Sequence, residues 1–343
     1  MSVIDIHNHF FPAALPDFDR RYAGAPWPAV RRTGADTATV TIGDKPFRDI
    51  DSRCWDASRR LADMTLDGVD LQVISATPVL FAYQRDAAPA AELAKLMNDA
   101  ALELAAAGQG RLKTLAQVPL QDVNLACREA ERAMAAGHLG VEIGNHVGPR
   151  DLDDASLITF LHHCADIGAA VLVHPWDMFG GARTERFMMA WTVSMPAETQ
   201  LSIVAMILGG AFDRLPRSLR LCFAHGGGSF AFLLGRLENA WRNKDTVRGK
   251  SQHPPSHYLD RFYVDSAVFE ERTLRFLIDV MGADRVALGS DYPFPLGETR
   301  VGALVRGASS LSDDEKRRIL EVNPRRFLGL AKSVRRRESL GDP

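Results

Sequence analysis

A (β/α)8 barrel, the TIM-barrel form of the α/β class, is the fold this sequence predicts. Three observations carry it. Short β-branched runs alternate with longer amphipathic runs eight times along 343 residues, as successive βα units require. The length suits one large barrel. Histidines and an aspartate recur just behind the apolar runs, at the end where such a barrel keeps its chemistry.

The predicted strands are Val3–His7, Val69–Ala76, Lys113–Val118, Leu139–Gly144, Ala170–His174, Leu219–His225, Phe262–Ser266 and Arg285–Ser290. The predicted helices are Asp56–Asp67, Ala87–Ala107, Val123–Ala135, Ala155–Ile167, Ala197–Gly209, Phe230–Arg242, Glu271–Met281 and Asp313–Leu320. Ala155–Ile167 shows the rule: Leu157, Phe160, Leu161 and Cys164 fall at helical spacing on one face. One domain is expected over residues 1–343, with an insertion at about 13–52 and a solvated tail at 333–343 that includes Arg335–Arg337. Within the insertion, Thr37–Thr41 and Pro46–Ile50 flank Gly43 and read as a small β-hairpin after the first strand.

Composition excludes several classes. Hydrophobic residues make up 46% and charged residues 24%, as in a soluble enzyme with a sizeable core. The net charge of −2 offers no basic surface for nucleic acid or anionic lipid. No apolar run is long enough for a membrane span, and the first residues do not read as a secretory signal. Cys54, Cys127, Cys164 and Cys222 are scattered without a C-x-x-C pair, which argues against disulfides and thiolate zinc and for a cytoplasmic setting.

The first strand leads into His7-Asn8-His9. Residues two apart on a strand share a face, so two imidazoles stand together there. Strand five ends in His174, strand six in His225, and strand eight in Asp291. Each would be a costly buried polar group without a partner. A divalent metal satisfies several of them at once. Imidazole and carboxylate donors of this kind suit a divalent transition metal.

This order of residues along the strands resembles the amidohydrolase superfamily. The resemblance implies an amidohydrolase-type barrel, with His7, His9, His174 and Asp291 as ligands of one zinc ion per subunit and His225 as the catalytic acid/base. The chemistry so implied is a metal-bound hydroxide, formed when a bound water gives its proton to His225. Longer blocks are closer still to one family. Phe10-Phe11-Pro12, Ala76-Thr77-Pro78, Gln117–Asp122, His174–Met178, Met195–Gln200, His225–Arg236 and Gly289–Pro295 are similar to the 2-amino-3-carboxymuconate-6-semialdehyde decarboxylases, from the first strand to about residue 330. That resemblance implies zinc-dependent, non-oxidative decarboxylation in tryptophan breakdown by the kynurenine route. It also implies a homodimer, a dicarboxylate substrate bound by Arg48, and Arg236 contributed across the subunit interface. An arginine fork matches a carboxylate.

Two positions depart from that pattern: Lys244 stands where a second arginine is expected, and Phe187, with Trp191 nearby, where a tryptophan is expected. They leave the substrate open. A related hydroxy-carboxymuconate semialdehyde or an aromatic ortho-hydroxy acid fits an altered pocket, as does a hydrolase or hydratase acting on a lactone or unsaturated diacid. A barrel retained only for binding is disfavoured by the complete site. Glu142 on strand four could contribute, but alternation does not decide its face, and a single metal is expected. His138, His146, His162, His163, His253 and His257 read as packed or solvated. Gly226–Gly228 allow close backbone approach, and Gly180-Gly181 offer a hinge after strand five.

Overall fold

The computed structural model describes residues 1–22, 24 and 26–330; the expected tail at 333–343 lies outside them. The barrel strands are β1 (Ile4–Phe10), β2 (Leu71–Ala76), an interrupted β3 (Leu112–Thr114 and Ala116–Gln117), β4 (Gly140–Gly144), β5 (Ala170–His174), β6 (Arg220–Phe223), β7 (Tyr263–Asp265) and β8 (Val286–Ala287). Parallel pairing runs from β1 through β2 to the first part of β3, and from the second part of β3 through β4, β5, β6 and β7 to β8. Leu115 joins the two parts, donating to Ile74 at 3.0 Å. The ring closes where Ile6 donates to the Leu288 carbonyl (2.9 Å) and His9 donates to the Tyr292 carbonyl (2.8 Å). A barrel of eight parallel strands is the result.

Helices follow the strands as expected. Asp56 caps Ala57–Asp67 by accepting from the amides of Ser58 and Arg59, and left-handed Gly68 ends it. Asp122 caps Val123–Ala136 in the same way. Met195–Leu208 continues a turn of wider helix at Ala190–Ser194, so regular structure begins before the predicted Ala197. The last helical stretch runs on through Arg318–Val322 to Asn323–Leu328, beyond the predicted Leu320. Its final turn inserts Phe327 and Leu328 under the barrel. There they pack with Ile4, Ile6, Val73, Leu115, Leu172 and Cys222, an apolar floor.

Two differences bear on function. β1 extends to Phe10 rather than stopping at His7, because His9 and Phe10 keep pairing with Ser75 and Ala76. The two histidines therefore sit within a strand, fully buried, and do not project beyond it. The insertion is a three-stranded antiparallel sheet rather than a two-stranded hairpin. Pro28–Arg32 pairs with Thr37–Ile42, which pairs with Lys45–Asp51. A proline is tolerated at the first position of an edge strand, and that residue hides the strand from pattern reading.

Candidate metal centre and active site

His7 and His9 face the barrel mouth from β1. Between Asp5 and Asn8, β1 spends one more residue than β2, a bulge in the pairing. The bulge is held from outside. Arg60 on Ala57–Asp67 is fully buried; its Nη1 donates to Asn8 Oδ1 (2.8 Å) and Gln72 Oε1 (3.1 Å), and its Nη2 donates to the His9 carbonyl (2.6 Å). Its guanidinium lies 4.9 Å from the centre of the Tyr292 ring. Asp5 accepts from the His7 amide and from the Ser290 hydroxyl at 2.7 Å, linking β1 to the segment that carries Asp291. Gly289 is required there: a Cβ would stand 2.8 Å from the Cβ of both His7 and Asp265.

His7, His9, His174 and Asp291 each offer one ligand atom, and these atoms lie within 4.8 Å of one another. His7 Nε2 is 3.2 Å from His9 Nε2, and His9 Nε2 is 3.2 Å from Asp291 Oδ1. His174 donates from Nδ1 to the Pro175 carbonyl (2.7 Å), which fixes Nδ1 as the protonated nitrogen. Its Nε2 is buried and has no partner among the described residues. A buried, orphaned imidazole nitrogen aimed at a carboxylate and two more imidazoles is what a divalent metal satisfies. The four residues fit such an ion.

Electrostatics agree. Burial alone would lower the His7 pKa, but the hydrogen bond from Nδ1 to Asp265 Oδ2 at 2.6 Å and the charge of Asp265 raise it to about 9. Burial lowers His9 to about 4 against the pull of Asp291. Burial would raise Asp291, yet the histidines around it hold it well below the usual carboxylate range. The mouth is thus a carboxylate-rich site that draws a cation, in the form of a proton or a metal.

His225 follows β6 in a left-handed conformation (φ 54°), as does Asp291 (φ 59°). Such strain in non-glycine residues persists where the surroundings enforce it. The His225 Nε2 lies 3.7 Å from Asp291 Oδ2, and its ring centre is 4.8 Å from that of His174. Neither His225 ring nitrogen has a hydrogen-bond partner among the described residues. Gly226 follows, its amide donating to Asp265 Oδ1 at 2.8 Å.

Arg48, on Lys45–Asp51 of the inserted sheet, reaches the same mouth. Its guanidinium lies 4.1 Å from the centre of the Phe294 ring, and that ring stacks on His9 at 5.5 Å. Burial lowers its pKa, opposed by the charge of Asp291. Arg236 is exposed on Phe230–Asn243, four residues after exposed Phe232. Lys244 and Phe187 are exposed as well. His146 is held by the carbonyls of Gly148 and Asp177.

Sequence reasoning missed Asp265 and Arg60 and left Glu142 open. Asp265 ends β7, so the rule that found His174 and Asp291 reaches it too. Glu142 is fully buried beneath the cluster, and burial pushes its carboxyl up to about 8. Arg60 carries no such signal, being one of two adjacent arginines on an amphipathic helix.

The amidohydrolase family model matches residues 4–330, and the chain belongs to that class. Within the class it belongs with the 2-amino-3-carboxymuconate-6-semialdehyde decarboxylases. The relative of that name from Dictyostelium discoideum is 39% identical over 329 residues, covering 95% of this chain and 91% of its own. The Caenorhabditis elegans relative of the same name is 28% identical over 96% of this chain and 95% of its own. Among solved structures, the 5-carboxyvanillate decarboxylase of Sphingomonas paucimobilis superposes with a TM-score of 0.78 at 25% identity, over 96% of this chain and 99% of that one.

Proposed function

We propose that this protein is a zinc-dependent, non-oxidative decarboxylase of 2-amino-3-carboxymuconate-6-semialdehyde, acting in tryptophan breakdown by the kynurenine route. One observation carries the reading: three imidazoles and Asp291 converge within 4.8 Å beside His225, in a chain whose relatives bear that name. His7, His9, His174 and Asp291 hold the ion. When bound, zinc supplies Lewis acidity and lowers the pKa of water at the mouth.

The chain's own residues do the rest. Arg48 binds a substrate carboxylate through its fork and steers it toward the ligand cluster. Phe294 supports the Arg48 guanidinium from below. Breaking the carbon–carboxyl bond leaves its electron pair on carbon, and that carbon must gain a proton while CO2 departs. His225 moves the proton through Nε2, which faces Asp291 and has no competing partner. A second carboxylate needs a second cation. Arg236 is exposed on Phe230–Asn243, which suits service to the site of a partner subunit in a homodimer. Lys244 retains charge there without the fork.

The substrate assignment is tested by supplying zinc-loaded protein with freshly generated semialdehyde and, separately, with 5-carboxyvanillate. One CO2 per semialdehyde consumed, at a rate above that of the aromatic acid, is expected. Faster turnover of the aromatic acid reassigns the substrate, and consumption without CO2 makes the protein a hydratase or hydrolase. The shared site is tested by mixing Arg48→Ala and Arg236→Ala subunits. Partial recovery in verified heterodimers is expected, and none counts against the exchange.

A further inference from the structure

The histidine ligands share a pattern with one member incomplete. His7 directs Nε2 at the cluster and Nδ1 at Asp265 Oδ2, 2.6 Å away. His174 leaves Nε2 free for the cluster and meets the Pro175 carbonyl with Nδ1. His9 also directs Nε2 inward, toward Asp291. Its Nδ1 is buried and has no hydrogen-bond partner among the described residues. A metal on Nε2 requires the proton on Nδ1, and a buried N–H requires an acceptor.

The acceptor in reach is Glu142. Its Oε1 stands 4.0 Å from His9 Nδ1, and both side chains are buried. Neither Glu142 oxygen has a hydrogen-bond partner among the described residues. Ser75 is adjacent, but its hydroxyl donates to the Asn8 carbonyl at 3.2 Å. The separation exceeds a hydrogen bond by about 1 Å, and the Ser75 hydroxyl also lies within reach of Glu142. Resting on the metal reading above, we infer that Glu142 is a positioning residue for His9. Its carboxylate takes the His9 Nδ1 proton in a hydrogen bond when His9 Nε2 binds the ion, as Asp265 does for His7. Such outer carboxylates fix ligand tautomer and orientation, and losing one typically costs about 10–100-fold in metal affinity.

The test is zinc affinity, measured by competition with a chromophoric chelator on the wild type, E142L, E142A and E142Q, alongside zinc stoichiometry and the thermal midpoint of the metal-stripped protein. We expect one zinc per chain and E142L weaker by roughly 10–100-fold. E142Q should be weakened less, because its amide oxygen still accepts. The stripped E142L should be as stable as the wild type or more so, since an unpaired buried carboxyl is gone. A merely structural role would lower stability and spare affinity. Zinc affinity of E142L within twofold of the wild type overturns the inference; should E142L fail to fold, unchanged affinity in E142A does so. Two zinc ions per wild-type chain, with only the second lost in E142L, overturns it in favour of a second ion site. A wild type that binds no zinc removes the metal reading itself, and this role with it.

Discussion

The two ends of the barrel are built from opposite materials. The floor is Ile4, Ile6, Val73, Leu115, Leu172 and Cys222, sealed by Phe327 and Leu328. Apart from the Cys222 thiol its side chains are apolar, and its stability comes from apolar burial and close packing. The mouth is His7, His9, Glu142, His174, His225, Asp265 and Asp291, several with unpartnered buried atoms or left-handed backbone. Such groups cost stability when unpaired. A single strand spans both: Ile4 and Ile6 serve the floor, and His7 and His9 serve the mouth. The bulge between Asp5 and Asn8 marks the change. Stability and chemistry are therefore separable along one axis, and substitutions should sort by depth.

The largest effect belongs to the mouth. His225→Ala should slow CO2 release by roughly 10²–10⁴-fold, with zinc content and thermal midpoint near those of the wild type. Loss of zinc along with activity would instead make His225 a ligand. At the floor, Phe327→Ala should cost about 3–5 kcal/mol in denaturant unfolding, while turnover per folded molecule stays unchanged. A turnover loss as large as that of His225→Ala would break the division.

Arg60 joins the two behaviours, since it is buried like the floor but holds the His9 carbonyl. Arg60→Leu strands three acceptors and should cost about 1.5–3 kcal/mol while also loosening zinc several-fold. Stability loss without any zinc effect would move Arg60 wholly into the scaffold. Arg48→Lys keeps charge and loses the fork, so the KM for a carboxylate substrate should rise roughly tenfold with a smaller change in kcat. An unchanged KM would remove Arg48 from substrate binding.

The smallest effect is a pH dependence away from the mouth. His138, buried where the chain enters β4, has its pKa lowered from 6.5 to about 4, chiefly by burial. The unfolded chain binds the extra proton first, so the stability that depends on a neutral His138 is complete above about pH 6.5 and is lost as pH falls toward 4. His138→Gln should flatten the stability profile across that window. A profile identical to the wild type would show that other groups set the acid limb.

Much of this was legible in the chain. The eight strands follow from period and composition, and His7, His9, His174, His225 and Asp291 stood out because polar residues behind apolar runs need a reason. The outer partners did not stand out. Asp265 and Glu142 act by touching imidazoles from strands distant in sequence, and alternation could not give the face of Glu142. Arg60 gains its role from folding an outer helix against the β1 bulge. β1 runs on to Phe10 because tertiary pairing with Ser75, Ala76 and Tyr292 holds it extended, which no local pattern records. The strand at Pro28–Arg32 is concealed by its proline and its paired arginines.

The most direct measurement is CO2 release from the semialdehyde as zinc is titrated into metal-stripped protein. No release at the start, a linear rise, and a plateau at one zinc per chain are expected. Release that is independent of zinc, or substrate loss without CO2 at any zinc level, would contradict it.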